Sequence, residues 1–145
     1  MYFAIVLLLL VIILVILANP FKTAYYIDVK IGDTKVNAEV ADTFAKKVKG
    51  LMFRKNLSEK EGMIFPFDEE GYQGIWMMNM SIPIDIIWMD KDKKVVDVVK
   101  DAQPCGLSCG SYTPKEKAMY VLEVKANFTE RHGVKIGSKA TFKLV

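Results

Sequence analysis

The stretch IWMMNMSIPIDIIWMD, residues 75–90, decides how this chain is read. It holds four methionines, two tryptophans and, besides Asp90 at its end, one carboxylate, Asp85, set among apolar neighbours. Its apolar runs predict two buried strands, 73–78 and 84–89, around a turn at Ser81-Ile82-Pro83. Three roles compete for it: a methionine metal site, a ligand pocket built around Asp85, or core packing.

Working outward, residues 25–31 and 34–40 alternate as strands and Gly32-Asp33 turns between them, which predicts a hairpin. Asp42 reads as an N-cap for a helix of about two turns that Gly50 stops. A short strand follows at 63–67. Asp90-Lys91-Asp92-Lys93 turns into a strand at 95–99, and 103–115 is a loop rich in Pro, Gly, Ser and Cys. A strand at 119–124 precedes a short helix that Asn127 caps and Gly133 ends, and a last strand is expected at 140–144. About eight short strands and two short helices make the chain mainly β, a β-rich α+β domain. Regular spacing without long intervening helices favours a small antiparallel barrel or sandwich, closed or partly closed.

This domain, residues 22–145, stands behind an apolar segment. Residues 1–21 carry no charged side chain, and roughly 20 apolar residues in a helix span a hydrocarbon core of about 30 Å. A single transmembrane anchor is expected. The alternative is a cleaved signal peptide, but no Lys or Arg precedes the run and Ile16 sits where a small residue is wanted. Lys22 and Lys30 after the span favour a cytoplasmic domain. Cys105 and Cys109, and the sequons at Asn56 and Asn127 in expected turns, favour an extracytoplasmic one, which is the expectation adopted; the third sequon, at Asn79, lies in the core motif and is read as structural. A net charge of +3 with mixed signs gives no nucleic-acid footprint, and no glycine loop or other cofactor signature is present.

The motifs GLMFR (50–54), GMIFPF (62–67), WMMN with IPIDIIWMD (76–90), Tyr112 and YVLEV (120–124) occur in this order. Together they resemble the domain of unknown function 192, also catalogued as uncharacterised protein family 0127, over residues 25–145. The resemblance implies a compact, mostly β domain, often behind a signal peptide or anchor, and implies no activity, cofactor or catalytic residue. Where the family usually reads W-M-K-N-T, this chain has Met78 in place of the lysine.

Asp85 in a buried strand needs a partner, because an isolated charge there costs several kcal/mol. Arg54 is the partner expected, its planar fork suiting a carboxylate, and Glu123 in VLEVK could share it. One reading is an ion-pair network that fixes strand register. The functional reading is a pocket walled by Phe65, Trp76 and Tyr120, with Tyr112 beside it, that presents Arg54 to an anionic group. As an enzyme, Asp85 and Glu123 would form a carboxylate pair for hydrolysis of cell-envelope material. As a metal protein, Met78 and Met80 would share a face and bind Cu(I); packing is the commoner role of methionine. Cys105 and Cys109 are expected to form a short-loop disulfide, two thiols being the alternative. His132 is expected to be solvated at a helix end. The preferred reading is a non-enzymatic binding module for a small anionic molecule, or for a peptide strand added at a sheet edge.

Overall fold

The computed structural model describes residues 5–7, 9–11 and 24–145. The anchor expected at 1–21 lies mostly outside them. Among the described residues no helix is long and apolar enough to cross a membrane.

Strands β1 (Tyr26–Ile31) and β2 (Thr34–Val40) form the expected hairpin, their alternate residues buried. The turn requires Gly32, which has φ +58°. A Cβ there would lie 2.1 Å from the backbone oxygen of His132. Helix α1 (Phe44–Lys49) follows, then β3 (Glu61–Gly71), β4 (Ile75–Trp76), β5 (Ile84–Met89) and β6 (Val95–Ala102). The chain finishes through β7 (Ser111–Tyr112), β8 (Ala118–Lys125) and helix α2 (Phe128–Arg131).

Six strands make one sheet in the order β1-β2-β3-β8-β5-β6, and β4 and β7 form a separate pair. The expected antiparallel barrel is corrected on two counts. First, β2 and β3 run parallel, Asn37 opposite Glu61 and Val40 opposite Ile64, because α1 carries the chain back to the same end of the sheet. Second, the sheet is open. The expected last strand forms only isolated bridges, Thr141 with Lys30 and Lys139 with Lys94. The strand expected at 73–78 shrinks to Ile75–Trp76, since the left-handed Asn79 (φ 56°) and the turn from Met80 N–H to the Met77 oxygen bend the chain away.

Each face of the sheet carries a core. One gathers β1, β2, Leu122, Val124 and Ile87 under Phe128, Val134 and Phe142. The other gathers Met63, Phe65, Ile86, Trp88 and Val121 under Leu51, Leu57, Ile75, Met77 and Met80. Among the described residues, the buried members of both lie between Ile27 and Phe142. Strand β5 is buried along its whole length, as a central strand covered on both faces must be. Trp88 satisfies its indole by donating to the Gln73 carbonyl at 2.7 Å.

Candidate functional site

Asp85 does not meet Arg54. Its carboxylate is fully buried and accepts four hydrogen bonds. Oδ1 receives the N–H of Asp101 (2.9 Å) and of Asn127 (3.0 Å); Oδ2 receives the N–H (2.9 Å) and hydroxyl (2.6 Å) of Thr129. Asp101 and Asn127 both have left-handed backbones, with φ of 51° and 63°. Asn127 makes no side-chain cap on α2, so Asp85 supplies the acceptor at that helix start. The expected ion pair is thus replaced by main-chain and hydroxyl donors from two loops.

Arg54 donates instead through Nη2 to Glu39 Oε2. Cross-strand register places Glu39 opposite Met63, Met63 opposite Glu123, and Glu123 opposite Ile86. These four share one face of the sheet. Asp85 lies opposite Val124, and successive residues of a strand alternate, so it faces the other side. Asp85 and Glu123 therefore do not form a carboxylate pair, and the hydrolytic reading loses its geometry.

Glu123 is the site's unusual group. It is 4% exposed, and its Oε2 has no hydrogen-bond partner. Burial pushes its carboxyl up to about 8, with the nearby Arg54 charge only partly offsetting this. At neutral pH it is mostly a neutral acid with a hydroxyl to donate. It lines a hollow of about 290 Å³ walled by Phe65, Phe67, Ile75, Trp76 and Met80 and rimmed by Phe44, Lys47, Val48 and Lys49 of α1. Gly50 ends α1 with φ +48°, and a Cβ there would sit 3.7 Å from Glu123 Oε2; its bare backbone keeps the hollow open over the acid.

Of the residues expected to build one pocket, Phe65, Trp76 and Glu123 meet in this hollow. Arg54 lines an adjoining one with Glu39 and shares Lys49, Gly50 and Met52 as a common wall. Tyr120 faces the opposite side, edge-on to Phe142 at 5.1 Å. Tyr112 pairs with Ile75 and lines a separate hollow with Cys105 and Cys109. Those two cysteines are joined through their Sγ atoms with Cα atoms 6.0 Å apart. Met77 and Met80 pack in the core, while Met78 is only half-buried and bridges Cys105 through its backbone.

Sequence reasoning missed the α1 side of the pocket. The signal was present in FAKKVK, where Phe44 and Val48 stand four residues apart on one helix face. It also missed Glu39, which the alternation of β2 places on the same face as Glu123.

His132 is not a freely solvated group. Its Nδ1 lies 2.7 Å from Asp33 Oδ1 and its Nε2 3.0 Å from Glu59 Oε1, while Arg131 donates twice to Glu59 at 2.9 Å. The Arg131 hydrogen bonds hold the Glu59 carboxyl below its ordinary value. An acid held low in the fold adds stability that is complete above its unfolded value near 4.5 and fades as pH falls through the folded one. Thermal unfolding of Glu59→Gln is expected to show a loss of about 0.5–1 kcal/mol at pH 7 for this solvent-screened clasp. The two unfolding curves should converge toward pH 3; a constant gap would disprove the clasp's titration.

The model of the family described as Uncharacterized ACR, COG1430 (DUF192) matches residues 27–142. The chain belongs to the DUF192 family. A UPF0127 protein of Thermococcus kodakarensis is 38% identical over 85 residues, 59% of this chain and 51% of its own length. One from Thermococcus gammatolerans is 38% identical over 87 residues, 60% and 54%. This chain thus spans about half the length of these curated relatives. A UPF0127 protein of Pyrococcus abyssi is 34% identical over 70% of this chain and 81% of its own. A crystal structure of a protein of unknown function from Novosphingobium aromaticivorans has a TM-score of 0.74 and 31% identity. It covers 85% of this chain and 89% of that one. A proposed transcription regulator of Sinorhizobium meliloti has a TM-score of 0.75 at 24% identity, covering 82% and 95%; it shares the fold. The matched fold makes up nearly all of both solved chains.

Proposed function

We propose that this DUF192 protein is a membrane-tethered, non-enzymatic binding module. Its pocket takes a small molecule with an apolar body and an anionic oxygen acceptor, a carboxylate being the simplest. One observation carries this reading: a buried, neutral Glu123 with an unpartnered oxygen at the floor of an apolar, aromatic-walled hollow. The Glu123 hydroxyl would donate to the ligand's oxygen, a charge-assisted bond of the stronger kind. Lys47 and Lys49 at the rim favour the anion, and the apolar wall favours its body. The tether rests on the apolar sequence of 1–21; residues 5–7 and 9–11 are helical, and their apolar side chains are left about half exposed. An extracytoplasmic side for the domain is supported by the Cys105–Cys109 bridge.

The test is a titration with short alkyl carboxylates followed by Trp76 emission, since Trp76 stands 39% exposed at the pocket while Trp88 is sealed. Wild type is expected to bind at pH 6 and to lose affinity at least tenfold as pH rises through about 8, when Glu123 ionises and repels the anion. Glu123→Gln keeps a donor and cannot ionise, so its affinity should not vary with pH. Glu123→Leu should lose binding. A wild-type affinity that is flat with pH, or no Trp76 response to any chain length, would reject the reading.

A further inference from the structure

The rim of the pocket has features that packing does not explain. Helix α1 buries none of its residues, yet it carries Phe44, 85% exposed, and Val48, 39% exposed, one turn apart on one face. A polar surface helix has no need of either. Beside them stand Lys47, whose Nζ lies 4.6 Å from the centre of the Phe67 ring, and Lys49, which forms no ion pair among the described residues. The acids closest in sequence are already engaged, Asp42 with Lys46 and Glu39 with Arg54. What remains is an exposed surface both apolar and cationic, the composition of elements that lie in the interface of an anionic bilayer.

Chain geometry says where that surface lies. Tyr25 accepts the Val40 N–H on its backbone oxygen, three positions before the Thr43 cap of α1, and its ring lies 5.9 Å from Lys46 Nζ. Only residues 22–24 separate Tyr25 from the apolar segment. Even fully extended, three residues reach only about 10–14 Å. A segment held in the bilayer therefore keeps the α1 end of the domain against the headgroups, and the tether makes this contact intramolecular, so a small patch suffices.

We infer that the pocket mouth is a membrane-contacting surface, in which Phe44 and Val48 enter the interface and Lys47 and Lys49 meet anionic lipid headgroups. The inference rests on the tether proposed above. It opens the pocket toward the lipid surface, so that ligands reach Glu123 from the interface.

The test uses the full chain in nanodiscs of phosphatidylglycerol or phosphatidylcholine with brominated acyl chains. Phe44→Trp adds a reporter at an exposed position, read as the difference from wild type, with near-ultraviolet circular dichroism of the buried Trp88 confirming the fold. The added emission is expected to be blue-shifted and quenched at least twofold in phosphatidylglycerol. The effect should be largely lost in phosphatidylcholine, in high salt, and in the added Lys47→Glu, Lys49→Glu background. An added emission that stays water-like in phosphatidylglycerol overturns the docking and leaves the surface to a protein partner. Quenching that ignores lipid charge and the lysine reversals overturns the headgroup assignment. Failure of the chain to enter discs removes tether and docking together. The carboxylate titration contains no bilayer and judges the pocket separately.

Discussion

Replacing Asp85 with alanine is expected to destabilise the domain by about 3–5 kcal/mol, the scale of removing one partner from a buried, fully bonded charge. The change strands four donors at once, three of them backbone or hydroxyl groups of Asn127 and Thr129 at the start of α2. It also releases two left-handed residues, Asp101 and Asn127, whose backbones are strained by about 1 kcal/mol or more each. Urea unfolding with an unchanged slope should report the loss, and the midpoint temperature should fall by about 15 °C or more. Asp85→Asn should fall between, because its amide places hydrogens against N–H donors on one side. Thr129→Ala should cost less, about 1.5–3 kcal/mol, one hydroxyl bond to the buried carboxylate being lost. A loss under about 1 kcal/mol for Asp85→Ala would refute this role.

The second large effect concerns pH. The Glu123 carboxyl titrates near 8 in the fold and near 4.5 when unfolded. Between those values the unfolded chain has released a proton that the folded one keeps, so stability falls as pH rises through this window and levels off above it. The expected decline is on the order of 4 kcal/mol. Glu123→Gln cannot ionise in either state. Its stability should hold steady from pH 5 to 9, matching wild type near pH 5 and exceeding it at pH 9. Arg54→Met should carry the wild-type decline on to higher pH, because the Arg54 charge is what opposes the burial penalty. Urea midpoints measured at half-unit pH steps decide it; parallel profiles for wild type and Glu123→Gln would show that Glu123 ionises freely in the fold.

Much of the fold was legible because alternation and punctuation are local signals. The β1–β2 hairpin, the stop at Gly50, and strands β5 and β8 fall within a residue or two of expectation. The helix cap moved by one, to Thr43, whose hydroxyl accepts the Lys46 N–H at 3.2 Å while Asp42 pairs with Lys46. The parallel pairing of β2 and β3 was also within reach, since a helix between two neighbouring strands returns the chain in the same direction. The sequence strand 140–144 was misread because alternation cannot say whether a ladder partner exists. The candidate site divided along the same line. Glu123, Phe65 and Trp76 line one hollow. The assignment of Arg54 to Asp85 failed because the true partners of Asp85 are main-chain N–H groups in loops, which have no sequence signature.

The segment around 138–142 carries one further consequence. On one side it exchanges two hydrogen bonds between Thr141 and Lys30 of β1; on the other, Ser138 and Ala140 bond to Val95 and Lys93 at the start of β6. Since β1 and β6 are the two outer strands of the sheet, one short stretch of chain shields part of both edges. Unpaired edges are where sheets recruit foreign strands and aggregate, and a bridging strap removes that invitation without closing a barrel. A chain cut after Gly137 would expose both edges together, turning a self-contained sheet into a template for strand addition.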